Sequence, residues 1–483
     1  MLAAACARTS RTTTGPPAPS AAGLLAGAAA SIITPDITQA SRPVYVGGLE
    51  RGLKSTGVHD DLYARALVMT DASGTSVGLV ILDLIGFFHD DVEEVRRELS
   101  RRHPDVKLDY LAVASTHTHA GPDVIGLWTP IGESVDADYL ALVRSRAVDA
   151  VAKAWGSRQP ARMSVAQGEA PGLAKDTRLP EVIDETVLAM GLTARDGGQG
   201  IASLVNWNSH PSVSGGENSM MSADFPRGVI RKMEAEWGGT ALYASGALGG
   251  QIGSGRVRVS DPQAGDDGGD RMKRAEMIGD RIARIALGAL TAGASAKPPA
   301  EPVFRVRAKT IMVPMDNARF AEGLAIGLIH QRRLYPNGAE GSGLLPSELP
   351  DRSALRPGAF SLRSEVGLVD LGPARWALIP GELYPELSLG RFQDPQDPGA
   401  DYQGALREPP LRPTPGSPLF LIGLANDELG YIIPKSQWDS EPPYAYGRDE
   451  PQYGERNSTG PETAPVVMQA LMELLTPSVG SRR

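Results

Sequence analysis

Seven histidines and one cysteine limit the metal chemistry open to this 483-residue chain. A single cysteine allows neither an internal disulfide nor a thiolate cluster, so any metal must be held by histidine nitrogen and by carboxylate or phenol oxygen. Of His59, His89, His103, His117, His119, His210 and His330, two stand together in Ser115-Thr116-His117-Thr118-His119-Ala120-Gly121-Pro122-Asp123. In extended chain, residues two apart face the same way, so His117 and His119 can project together into a cleft. The alternative is a pair of turn histidines satisfied by backbone. His210 ends a second stretch, Asn206-Trp207-Asn208-Ser209-His210-Pro211; a lone histidine is more often structural than ligating. Glu382 follows the turn Ile379-Pro380-Gly381, and Tyr431 lies in Leu429-Gly430-Tyr431-Ile432-Ile433-Pro434. In isolation the first reads as a surface residue and the second as ordinary packing.

Other chemistries fit less well. Gly74-Thr75-Ser76-Val77-Gly78 matches the nucleophile-elbow pattern, but that motif needs a strand before the serine and a helix after it. Both flanks here read as strands, and the glycines suit a hairpin turn. Neither a Walker A sequence nor HExxH occurs. A binuclear HxHxDH site would need Asp at 121 and His at 122, where the chain has Gly121 and Pro122.

The elements around these residues place them at strand ends. Apolar runs at 26–33, 62–70, 77–84 and 108–114 read as strands, with a hairpin at 62–84. The run at 108–114 reads as a strand buried on both faces, and it delivers His117 and His119 at its carboxyl end, where α/β sheets favour ligand sites. The 201–206 strand delivers Asn206 to His210 in the same way. Helical spacing marks 90–102, 137–155, 226–237, 272–292, 317–331 and 462–475, and further strands are expected at 163–168, 187–192, 240–244, 303–313 and 419–424. A strand-turn-strand covers 365–379, and the Pro, Gly and Ser-rich stretch 336–358 reads as an irregular insertion. The expectation is an α/β fold of mixed β-sheets flanked by helices.

Composition excludes some partners. With 48 Lys+Arg against 57 Asp+Glu, the net charge of −9 offers no global field for phosphate backbones, so nucleic acid is not expected. The most apolar stretch, Val77 to Phe88, is twelve residues long and contains Asp83, too short for a membrane span. Cys6 follows Leu2-Ala3-Ala4-Ala5, small residues of the kind that precede an acylated lipoprotein cysteine, and 7–22 is rich in Ser, Thr, Pro and Ala. A lipid tether through Cys6 would place the protein outside the cytoplasm; the alternative is a trimmed or misplaced start.

Taken in order, AGAAASIITPD, GVHDDLYARALVM, STHTHAGPD, NWNSHP, IPGELYPE and NDELGYIIP resemble the catalytic domain of the neutral/alkaline non-lysosomal ceramidase family. The resemblance implies that residues 26–483 form one catalytic domain behind a 1–25 disordered tether, without that family's C-terminal immunoglobulin-like domain. It implies one catalytic Zn2+ held by His117, His210, Glu382 and Tyr431, with His119 beside it binding or protonating the reacting group. Zinc in such a shell both polarises a carbonyl and acidifies a bound water. The substrate would be an amide, ceramide or another N-acyl lipid, with Gly250, Gln251 and Tyr453 contacting it and Tyr444 and Tyr446 near the mouth. A GDVSPN-like segment with a catalytic serine belongs to that family, but Gly249 to Ser254 carries no serine in register. An esterase, lactonase or other amidase on the same site, and a non-catalytic surface binding module, are the alternatives.

Overall fold

The computed structural model describes residues 23–476 apart from 39–41, 217, 262–264, 294–300, 330–331, 340, 342, 391–409 and 412–417. Cys6 and the stretch 7–22 lie outside the described residues. In chain order the main elements are β1 (Leu25–Ile32), β2 (Tyr63–Thr70), β3 (Ser76–Leu82), α1 (His89–Arg102), β4 (Tyr110–Ser115), α2 (Ala137–Gly156), β5 (Gln159–Glu169), β6 (Thr186–Ala194), β7 (Gly200–Trp207), α3 (Phe225–Glu236) and β8 (Thr240–Ser245). There follow α4 (Arg271–Gly293), β9 (Arg305–Pro314), α5 (Ala318–Ala325), β10 (Phe360–Asp370), β11 (Arg375–Leu378), α6 (Pro385–Leu389), β12 (Leu419–Ile422) and α7 (Thr463–Leu475).

Strands β8-β7-β6-β5-β1-β2-β3-β4 form one sheet, whose two halves are joined by the short pairing of Leu25 and Ala26 with Pro160 and Gln159. The sheet folds over at that seam, so that β8 packs across β2, β3 and β4. Alternation along the strands decides which layer each side chain enters. Leu67 and Met69 of β2 and Leu79 and Ile81 of β3 meet Met190, Leu204 and Leu242 between the halves. Ala64, Ala66, Val68, Val80 and Leu82 point the other way, against Val143, Ala147 and Val151 of α2. On the far side, Val187, Val205 and Tyr243 pack with Phe225 of α3 and Ile278 and Ile282 of α4. The result is helix, sheet, sheet, helix. A further sheet, β9-β10-β11-β12, extends both inner layers through Trp376 and Phe420 on one face and Leu362 and Leu421 on the other. Truncating one of these buried leucines to alanine costs about 2–5 kcal/mol.

The mixed α/β expectation holds, and most elements lie within a few residues of their expected ends. The expected helix 317–331 is shorter: α5 stops at Ala325. Asn317 sits outside it as a cap, its side chain accepting from the Arg319 N–H at 3.0 Å. The chain then turns at Gly327, whose φ of +84° ends the helix cheaply only in glycine. Among the described residues, no helix is long and apolar enough to cross a membrane.

Candidate metal centre

Three parallel strand pairs end together: β3 with β4, β7 with β8, and β11 with β12. Their carboxyl ends are laced by Ser245, whose hydroxyl donates to the Thr116 carbonyl at 2.7 Å and whose own carbonyl accepts from Gly423 N–H at 2.8 Å. Each pair delivers a polar side chain at that end. From β4 the chain passes through His117, which adopts φ +67°, a left-handed conformation unusual outside glycine and held here by its surroundings. Its N–H donates to the Leu84 carbonyl at 2.9 Å and its Nδ1 to that of Ile85 at 2.5 Å. A carbonyl only accepts, so Nδ1 carries the proton and Nε2 faces the site. His119 is fixed alike, Nδ1 donating to the Gly48 carbonyl at 2.8 Å, while its buried Nε2 has no hydrogen-bond partner among the described residues.

His210 follows β7 and is wholly buried. Its Nε2 lies 2.8 Å from Glu382 Oε2 and 3.2 Å from the Tyr431 hydroxyl, and His117 Nε2 is 3.2 Å from the same Glu382 oxygen. Glu382 and Tyr431 meet because Glu382–Leu383 pairs in parallel with Tyr431–Ile432, the two residues directly opposed. Opposed residues of paired strands send their side chains to one face. One donor atom from each of His117, His119 and His210 fits within 4.8 Å of the others.

Electrostatics fits this geometry. Burial, with repulsion from His117 and His210, lowers the His119 pKa well below the usual imidazole value. Burial also lowers that of His210 against the pull of Glu382. For Glu382, burial acts upward, but His117 and His210 outweigh it and hold the carboxyl below its ordinary range. Burial, then the Glu382 charge, pushes the Tyr431 phenol well above its ordinary value. Imidazole nitrogens, an ionised carboxylate and a phenol form the nitrogen and oxygen set that a divalent cation takes, and the orphaned His119 Nε2 fits a ligand at the centre.

The cluster closes one end of a cavity of about 250 Å³ lined by Ile85, Phe88, Ile125, Leu127, Trp128 and other apolar side chains. Tyr453 also lines it, 51% exposed, with its ring 5.6 Å from that of Tyr431. Gly250 and Gln251, expected to meet substrate, do not line this cavity. Gln251 is buried behind His210: its carbonyl accepts from the His210 N–H at 3.0 Å, and its side chain joins Asp184 N–H and the Ala247 carbonyl. A Cβ on Gly250 would lie 2.6 Å from Asp176, so that position is closed by protein. Ser254 turns its hydroxyl to the His210 carbonyl at 3.4 Å. Ser76 is buried against Thr70 at 2.9 Å, which removes the nucleophile-elbow reading. Tyr444 and Tyr446 do not line the cavity.

Sequence reasoning missed several residues. Glu428 lines the cavity, with one oxygen accepting from the Gly430 N–H at 2.9 Å and the other buried and, among the described residues, unpartnered. Burial, and then the Glu382 charge, raise its pKa well above the carboxylate range. It stood in plain view, three residues before Tyr431. Asp123 closes the histidine motif, and its carboxylate accepts from the N–H groups of Ile125, Gly126, Trp128 and Thr129 at 2.7–3.1 Å and shapes the loop that walls the cavity. Gly48 had no signal. A Cβ there would lie 2.5 Å from His119 Cγ.

The chain matches no protein-family model and no curated protein. Solved structures are similar. The neutral ceramidase from Pseudomonas aeruginosa aligns over 94% of this chain and 74% of its own, with a TM-score of 0.65 and 16% identity. A ceramidase complexed with C2 aligns over 95% and 77%, with a TM-score of 0.64 and 14% identity. The chain therefore has a ceramidase-like fold, with a buried three-histidine cluster where its parallel strand pairs end.

Proposed function

We propose that this chain is a zinc-dependent hydrolase that cleaves an amide bond in a substrate with an apolar chain, an N-acyl lipid being the class that the cavity and the ceramidase-like fold support. The observation that carries the reading is the convergence of His117, His119, His210, Glu382 and Tyr431 at the closed end of an apolar cavity. His117, His210, Glu382 and Tyr431 would hold the metal. Zinc there supplies Lewis-acid polarisation of the amide carbonyl and a water nucleophile near neutral pH.

The chain's own residues do the rest. The described residues lining the cavity offer no Ser, Thr or Cys nucleophile, and water is the attacking group in this reading. His119 is neutral, and its Nδ1 proton is committed to the Gly48 carbonyl, so Nε2 is free to take a proton from that water and return it to the leaving nitrogen. Phe88, Leu127 and Trp128 exclude bulk solvent from the apolar part of the substrate. Esters of the same shape would react on the same groups. Residues 26–483 would act as one catalytic domain, and a tether at Cys6 would hold it outside the cytoplasm.

Metal analysis, chelation and the His117→Ala and His210→Ala variants test this reading. One zinc per chain is expected, with N-acyl amide hydrolysis abolished by chelation and in both variants. Full activity after chelation and in both variants would falsify it.

A further inference from the structure

The cavity has a charged mouth. Besides its apolar wall and buried cluster it is lined by Arg51, Arg319 and Arg456, all exposed, whereas its two carboxylates, Glu382 and Glu428, are buried at the closed end. That burial gradient orients the cavity: reacting groups deep, apolar wall between, guanidinium groups at the rim.

The arginines are held there by the fold. Arg51 donates from Nε to the Leu127 carbonyl at 3.1 Å, which ties it to the loop shaped by Asp123. Arg319 and Arg456 stand on neighbouring elements, α5 and the turn 453–457, pinned together because Asn317 Nδ2 donates to the carbonyls of Glu455 and Ser458 at 2.7 Å. Among the described residues, no carboxylate pairs with Arg51 or Arg319, and Arg456 has only the exposed Glu450 at 3.3 Å. Three guanidinium groups on one rim, in a chain of net charge −9, form a local positive field at the entrance. Guanidinium matches carboxylate, sulfate and phosphate oxygens in pairs.

We infer that the preferred substrate is an anionic amphiphile: an amide whose scissile carbonyl reaches His117 and His119, whose apolar part fills the cavity, and whose anionic group lies among Arg51, Arg319 and Arg456. This rests on the hydrolase reading above and narrows it, because it disfavours a neutral headgroup.

The test is a matched pair of substrates in which an apolar chain separates the scissile amide from the charge, the mono-N-methylamide of decanedioic acid and its uncharged twin with a primary carboxamide in place of the free acid, both followed by methylamine release from the zinc-loaded protein. The ratio of the two kcat/KM values is expected to favour the acid by about tenfold, to shrink at high salt, and to approach one in the R51Q/R319Q/R456Q variant. A ratio of one or less in the unaltered protein, or one that survives the triple substitution, overturns the inference. A second measurement separates this from failure of the hydrolase reading: calorimetry with decanesulfonate and decanol, neither of which can be hydrolysed. Sulfonate binding about tenfold tighter, reduced in the triple variant, supports the rim even if no amide is turned over. Equal affinities overturn it.

Discussion

His119 and Gly48 show how much depends on single atoms. With its Nδ1 anchored, His119 presents one free nitrogen, and its removal should lower kcat by about 10²–10⁴-fold while zinc content is unchanged. Zinc lost with activity in His119→Ala would make it a ligand instead of a proton carrier. Gly48 sits at φ +100° with His119 against its α-carbon. Gly48→Ala should displace the imidazole, lowering kcat with less effect on metal affinity, to be read by paired kinetics and metal titration. Neither residue could be ranked from composition, yet they differ in legibility. His119 stood in a motif two positions from His117. Gly48 is one of 55 glycines, and its role exists only because two distant segments pass within contact distance.

At the scale of elements, loops shaped by buried charges carry the site. Asp123 gathers the 125–129 turn, and losing its carboxylate leaves several N–H groups unpaired at a cost of about 2–4 kcal/mol. Asp123→Ala should therefore raise KM for long-chain substrates about tenfold, because Ile125, Leu127 and Trp128 lose their fixed places. Unchanged KM would mean that the loop stays formed without it. On the other wall, Arg332 pairs with buried Asp427 and donates to the Glu428 carbonyl at 2.7 Å, while Asn426 accepts from Val113 N–H at 3.2 Å. These bonds clamp the segment leading to Tyr431 against β4. Strands and long helices were legible because their periodicity is local and strong: α2 is expected at 137–155 and found at Ala137–Gly156. The end of α5 and the inward turn of Gln251 were not, since both are set by contacts with segments remote in sequence. Glu382 and Tyr431 became candidates only through resemblance and order, because their pairing as opposed residues is a tertiary fact.

At the scale of the whole molecule, several carboxyl groups are buried away from both solvent and the candidate site. Burial raises Asp83 and Asp91 to about 6, Asp176 to about 7 and Glu386 to about 8, with the Asp176 charge adding to the shift of Glu386. Their unfolded values lie at about 4, so between those limits these four groups bind more protons in the folded chain than in the unfolded one, whereas His119 and His210, whose pKa values burial lowers, act in the opposite sense up to the ordinary imidazole value of about 6.5. Stability from these groups is full at about pH 4 and is lost as pH rises towards about 8. Thermal melting with chelator present should show Tm falling from about pH 6.5 to about 8, above the range in which His119 and His210 oppose it, and Glu386→Gln should flatten that fall; a rising Tm there would count against the assignment. Asp267, held at about 2 chiefly by its hydrogen bond from Arg274, acts below the window. The parallel pairing of Glu382 with Tyr431 also fixes an order of events. A growing chain can bring three histidines together once β7 is made, but its oxygen donors arrive only when residue 431 joins residue 382. If the proposed metal is bound, its tight capture would then be a late step, governed by long-range closure. On the proposed function, metal content would serve as a record of completed assembly, and a pulse-labelled chain should acquire slow chelator resistance only after residue 431 has joined residue 382.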